Sequence, residues 1–160
     1  MHEDIIKALD QVGADLTGAA KSDAEWTSAV KQSLVMLGKK KGCDCCASEV
    51  PAAEHDKWLY DVCWLRYAED EIVDLDLAAE SKWLGPTYVL KDFQKLCQTR
   101  ARLRVMIFQA RSEPERRELC ARLARQARAF RQSEAGDQYL LSCWIEAEGA
   151  YKFVHELLTV

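Results

Sequence analysis

Two neighbouring stretches between Lys57 and Trp83 restrict what this chain can fold into more than any other part of it. The run Lys57-Trp-Leu-Tyr-Asp61-Val-Cys-Trp-Leu-Arg-Tyr67 is dense in aromatic and β-branched residues, the composition of a buried strand. After the polar Ala68-Glu-Asp-Glu71 the chain alternates. Val73, Leu75, Leu77 and Ala79 fall on one face, and Asp74, Asp76, Glu80 and Lys82 on the other. The pattern predicts a two-stranded hairpin. With its turn centred near Glu69 and Asp70, Asp61 stands opposite Ala78 and has Glu80 as its diagonal neighbour. Opposed residues of an antiparallel pair share a face. Asp61, Glu80 and Lys82 then project from one side of the sheet, with Glu80 and Lys82 roughly 7 Å apart. A slip of one residue would carry Asp61 to the far face.

The remaining segments tell what packs around this hairpin. Ile5, Ile6, Leu9, Val12 and Leu16 outline a peripheral helix within residues 1–20, weakened by Gly13 and Gly18. Ser22-Asp-Ala-Glu25 has the form of a capping box and opens a helix that runs to about Lys41 and stops at Gly42. Trp26, Val30, Leu34 and Leu37 make its apolar stripe. Cys43, Cys45 and Ala47 alternate as one face of a short edge strand. That reading is preferred to a zinc knuckle, because Cys43-x-x-Cys46 has no second ligand pair and His55 stands alone in a loop.

After Gly85-Pro86 a helix is expected over 87–98, then a strand over 102–110. The unbroken apolar centre of that strand, Val105 to Phe108, indicates burial on both faces and a parallel neighbour, with the helix as crossover. Ser112-Glu-Pro-Glu115 starts a further helix. A strand follows over 138–145, and Tyr151 to Leu158 reads as strand or helix. The expectation is an α/β fold with a mixed sheet in the order α-β-β-β-α-β-α-β. It forms a single domain over 1–160: a peripheral helix in 1–20, a core over 22–145 and a C-terminal extension over 146–160.

The 160 residues are 49 % apolar, enough for one core. No run of about 18 apolar residues occurs, so no membrane span is expected. The acidic start Met-His-Glu-Asp lacks the form of a secretory signal. Seven cysteines, an odd number set mostly in apolar segments, are expected as reduced thiols. The cytoplasm is the expected compartment. The net charge of −4 conceals an asymmetry: from Arg100 to Arg131 there are ten Arg, no Lys and three Glu, a local balance of +7. Arg117, Arg125 and Arg128 fall on the polar side of the helix there, as an ordinary solvated face or as phosphate contacts of a nucleic acid.

Two carboxylates and a lysine on one sheet face have a definite chemical use. Asp61 and Glu80 can share a divalent cation through oxygen ligands, and Mg²⁺ suits such a site because it keeps several waters and accepts phosphate oxygens. Lys82 can orient the attacking water or neutralise developing charge. Glu25 either adds an outer carboxylate or merely closes its capping box. The bland alternative is an exposed ion pair of Glu80 with Lys82. Asp61 speaks against that, since a carboxylate amid Trp58 to Trp64 is costly to bury without partners.

Tyr60-Asp61 followed by Glu80-Ser81-Lys82 on the next strand resembles the Asp…(Asp/Glu)-x-Lys signature of restriction-endonuclease-like, or PD-(D/E)xK, nucleases. Tyr60 stands where that signature usually has proline. The order of elements from about Ser22 to Ile145 is similar to that superfamily's core. The resemblance implies a three-layer α-β-α core and Mg²⁺- or Mn²⁺-dependent phosphodiester hydrolysis. Asp61 and Glu80 would be the metal ligands, Lys82 the catalytic lysine and Glu25 an optional acidic residue on the first helix. Nucleic acid, DNA before RNA, would be the partner, and a homodimer is compatible. The alternative is a catalytically inactive domain of the same fold that binds nucleic acid or protein.

Overall fold

The structure is a computed structural model that describes residues 1–18, 21–56 and 58–160. Lys57, which opens the first expected strand, and Ala19 and Ala20, which close the 1–20 segment, lie outside the described residues. The elements are α1 (His2–Leu16), α2 (Asp23–Lys40), β1 (Asp44–Cys46), β2 (Val62–Ala68), β3 (Glu71–Lys82), α3 (Pro86–Cys97), β4 (Leu103–Gln109), α4 (Glu113–Ala129), β5 (Gln138–Ala147) and β6 (Ala150–Thr159). The fold is α/β, with one six-stranded mixed sheet in the sequential order β1-β2-β3-β4-β5-β6 among the described residues. β1, β2 and β3 meander antiparallel, β4 runs parallel to both neighbours, and β6 returns antiparallel on β5.

Helix α2 begins as its sequence dictates. Ser22 accepts the Glu25 amide, and the Glu25 carboxylate accepts the Ser22 amide, closing the box. The segment over 150–159, open between strand and helix in sequence, is a strand because Glu148 and Gly149 turn at φ 56° and 78°. Positive φ at both positions of a two-residue loop gives a hairpin matched to strand twist. β6 then pairs with the whole of β5, from Gln138 opposite Thr159 to Ala147 opposite Ala150.

The sheet separates two apolar clusters. On one face Ile5 and Leu9 of α1 and Val30, Leu34 and Val35 of α2 pack on Val62, Trp64, Leu77, Val105 and Leu140. On the other, Val89 and Phe93 of α3 and Leu119 and Leu123 of α4 pack on Cys63, Ala78, Met106, Phe108 and Leu141. β4 is buried from Leu103 to Phe108, as its unbroken apolar centre requires of a strand with parallel neighbours on both sides. All seven cysteines are free and buried. Cys43 belongs to the first cluster and Cys46 to the second, so the two cannot share a metal.

The hairpin departs from the expected register in an informative way. Ala68 lies opposite Glu71, so the turn falls at Glu69 and Asp70 as expected. β3 then carries two bulges, which leave Val73 and Asp76 without a direct partner on β2. Each advances the pairing by one residue, and Val62 ends opposite Ala79. One bulge would have inverted every side chain beyond it; two restore the parity. Continuing that register sets position 61 across from Glu80, not from Ala78. The even alternation expected of β3 is broken as well. Leu75 packs on the α3–α4 side and Leu77 on the α1–α2 side. The bulged Asp76 is 6 % exposed and ion-paired with Arg66 at 2.7 Å and Arg102 at 3.3 Å.

Gly38 lets α2 settle onto the sheet. A Cβ there would lie 2.6 Å from Cys45 Sγ and 2.6 Å from the indole nitrogen of Trp64, which donates to the Leu34 carbonyl at 3.1 Å. Gly38→Ala should therefore destabilise the protein by ~1–3 kcal/mol in urea unfolding, although alanine is the better helix former. An unchanged or increased stability would show that α2 has slack over Trp64.

Candidate functional site around Glu80

β3 ends between β2 and β4, and its last residues carry the charged groups. Glu80 and Lys82 leave the sheet on the same side, towards α3, as the sequence pattern implied. Glu80 is 3 % exposed, and its Oε1 is ion-paired with Lys95 of α3. Lys82 Nζ lies 2.9 Å from Asp92 Oδ2, also on α3. Although ion-paired, Glu80 Oε1 and Asp92 Oδ2 are buried without a well-formed hydrogen bond. The Lys95 ammonium sits 5.6 Å from the Tyr60 ring centre.

Asp61 stands just before β2. Its Oδ2 accepts the Ser81 amide at 2.9 Å and the Ser81 hydroxyl at 3.1 Å. A carboxylate oxygen here takes the place of a strand carbonyl where β2 has not yet begun, which keeps the buried amide satisfied. Its charge also reaches Glu80. Burial first, then the neighbouring Asp61 charge, push the Glu80 carboxyl up to about 7, against a smaller opposing pull from Lys95. The structure thus brings Asp61, Glu80 and Lys82 to one end of β3 and adds Asp92 and Lys95. Sequence reasoning missed the added pair. Its signal was the spacing of three residues on α3, which sets Asp92 and Lys95 on one helical face beside the buried Val89, Phe93 and Leu96.

Glu25 is not brought to this cluster. Its carboxylate takes the Ser22 amide at 2.9 Å and the Lys21 ammonium at 3.0 Å, and these contacts hold it down at about 2. α2 lies on the opposite face of the sheet from Lys82 and Asp92. His55 bridges the Cys46 backbone, with its ring 6.2 Å from Tyr67. The basic stretch is largely spent on internal partners: Arg100 on Glu134, Arg102 on Asp74, Arg104 on Asp137, Arg111 on Glu115, and Arg116 and Arg117 on Glu113. Arg125 and Arg128 are exposed on α4, and Arg125 lines a shallow cleft with Leu90, Arg122 and Gln126.

A second constellation has the residue types of a nucleophilic triad. Ser142 Oγ lies 2.9 Å from His155 Nδ1, and His155 Nε2 lies 3.0 Å from Asp10 Oδ1. Ser142 is fully buried in β5, out of reach of any substrate, so the trio ties α1 to β5 and β6.

Among the described residues no three His, Cys, Asp or Glu side chains converge as a metal-binding group. Glu80 and Asp61 form a pair, which is the number Mg²⁺ usually takes from protein while retaining water.

The raised Glu80 carboxyl has a consequence for stability. The folded state holds its proton more tightly than the unfolded chain. The favourable contribution is therefore complete below the ordinary value of 4.5 and is lost as pH rises through about 7. The interval corresponds to ~3 kcal/mol. Urea titrations should find the wild type losing stability relative to Glu80→Gln between pH 4 and pH 8. A difference independent of pH would mean that Glu80 is ionised throughout.

Comparison with protein-family models, with curated proteins and with solved structures finds no match for this chain.

Proposed function

We propose that the chain is a restriction-endonuclease-like domain, with a three-layer α-β-α core, that hydrolyses phosphodiester bonds of nucleic acid with Mg²⁺ or Mn²⁺. The observation that carries this reading is the desolvated Glu80 carboxyl beside Asp61, with Lys82 on the same side of the same strand. Helices packed on both faces of a mixed sheet support the fold part.

Glu80 and Asp61 would hold a divalent cation, which would supply charge neutralisation and lower the pKa of a water. Glu80 Oε1 is buried and short of a good hydrogen bond, and a cation there would displace the Lys95 ammonium from it. Asp61 keeps its Oδ2 on Ser81, which fixes the carboxyl against the strand end. Asp92 holds the Lys82 ammonium near Glu80, where it can steady a phosphoryl oxygen or the attacking water. Lys95 neutralises Glu80 and competes for the same carboxylate oxygen. Cation affinity should accordingly rise with pH through about 7, as Glu80 loses its proton.

One observation favours a second reading. Both Glu80 and Lys82 already have partners of opposite charge on α3, an arrangement that suits an inactive domain binding nucleic acid or protein through the exposed Arg125 and Arg128. Plasmid and single-stranded DNA should be cut in the presence of Mg²⁺ or Mn²⁺, with a loss of roughly 100-fold or more in Glu80→Gln and Lys82→Met. Cleavage that survives Glu80→Gln would defeat the nuclease reading. Calorimetry without any heat of cation binding, together with a salt slope for DNA that falls by about two in the Arg125→Ala, Arg128→Ala double variant, would favour the binding module.

A further inference from the structure

Among the described residues four charged side chains are buried: Lys31, Asp76, Glu80 and Arg104. Three of them meet an opposite charge. Asp76 meets Arg66 and Arg102, Glu80 meets Lys95, and Arg104 meets Asp137. Lys31 does not. It is 7 % exposed, and its ammonium donates at 3.0 Å to Ser48 Oγ and at a long 3.4 Å to the Ser48 carbonyl. Both acceptors are neutral. Among the described residues no carboxylate lies within ion-pair distance of it. Burying an ammonium against neutral oxygens alone is unfavourable, and lysine is among the residues least often buried without a countercharge.

Lys31 borders a cleft. A space of about 340 Å³ opens between α2 and the end of β3, lined by Thr27, Ser28, Lys31, Ser48, Ser81 and Lys82 among others. Lys31 is the lining residue with an uncompensated ammonium, since Lys82 is held by Asp92 on α3; the hydroxyls of Thr27, Ser28 and Ser48 complete a donor set suited to a phosphate. Asp23 and Glu49 also border it, and both are exposed. The cleft touches the Glu80 cluster through one strand residue, for Ser81 lines it and hydrogen-bonds Asp61.

We propose that this cleft is a phosphate-binding subsite, with Lys31 as its buried cation and the hydroxyl of Ser48 beside it. It receives a phosphodiester of the same nucleic-acid strand that is presented to Glu80 and Lys82. Assigning the phosphate to a nucleic-acid strand rests on the nuclease reading; the anion site itself rests on Lys31 and the cleft. The occupant supplies a countercharge at the Lys31 ammonium, which Asp23 and Glu49 at the cleft border do not reach.

The test uses the full chain with ¹⁵N amides, inorganic phosphate, a mononucleotide and a short single-stranded DNA. Phosphate should shift the Ser48 and Ser81 amide resonances in a saturable way and raise the melting temperature of the wild type by linkage. Both effects should vanish in Lys31→Met, which keeps the apolar stem and removes the charge, and persist in Lys31→Arg. In Lys31→Met the oligonucleotide should bind about 10-fold more weakly, with the salt slope reduced by about one. Preferential binding of the mononucleotide, with the oligonucleotide excluded, would overturn the strand assignment. Wild-type resonances at Ser48 and Ser81 that ignore phosphate, or oligonucleotide binding unchanged in Lys31→Met, would overturn the subsite. Phosphate shifts that remain while Glu80→Gln leaves DNA cleavage intact would leave the anion site standing and remove the nuclease reading.

Discussion

The register of β3 against β2 is the constraint on which the rest depends. A strand has two faces, and parity decides which side chain meets which layer. β3 breaks parity twice within its first half, at Val73 and at Asp76, and so recovers it before Glu80. The recovered half pairs with β4 in parallel, Glu80 opposite Met106 and Lys82 opposite Phe108. That places both charged residues under α3. The stretch between the bulges absorbs the difference: Leu75 turns to the α3–α4 layer, and Asp76 swings to where Arg66 and Arg102 can close on it. A bulge also strengthens local twist, which helps a long strand serve an antiparallel neighbour on one side and a parallel one on the other.

Among the described residues charge is buried sparingly and, Lys31 apart, in pairs. Arg104 is 2 % exposed, donates to the Thr99 carbonyl and is ion-paired with Asp137. Such pairs add little net stability, because desolvation offsets attraction, but breaking one partner leaves a buried charge exposed to the low dielectric. Around Glu80 the balance is less complete. Asp61 and Asp92 lie near Glu80 together with the ammonium groups of Lys82 and Lys95. Burial, and after it the Asp61 charge, holds the Glu80 proton to about 7. Local departures from satisfied polarity concentrate where a fold keeps chemistry instead of stability, and Glu80, Asp92 and Lys31 lie near the end of β3.

The amino-acid sequence determined the local pieces. The Ser22–Glu25 cap, the turn at Glu69 and Asp70, the edge strand at Cys45 and the doubly buried β4 all follow from interactions within a few residues or from a periodicity that a single chain segment carries. So did the shared face of Glu80 and Lys82, since two residues of spacing in a regular strand need no partner to define it. Tertiary structure alone decided the rest. The bulges in β3 follow from which strands it must pair with, not from its own alternation. Whether an arginine between Arg100 and Arg131 is free or consumed depends on acids distant in the chain, such as Asp74 for Arg102 and Asp137 for Arg104. Desolvation is likewise a property of what packs overhead. Nothing in the letters around Lys31 or Glu80 says how much water each side chain keeps, and that quantity sets their charge and therefore their chemistry.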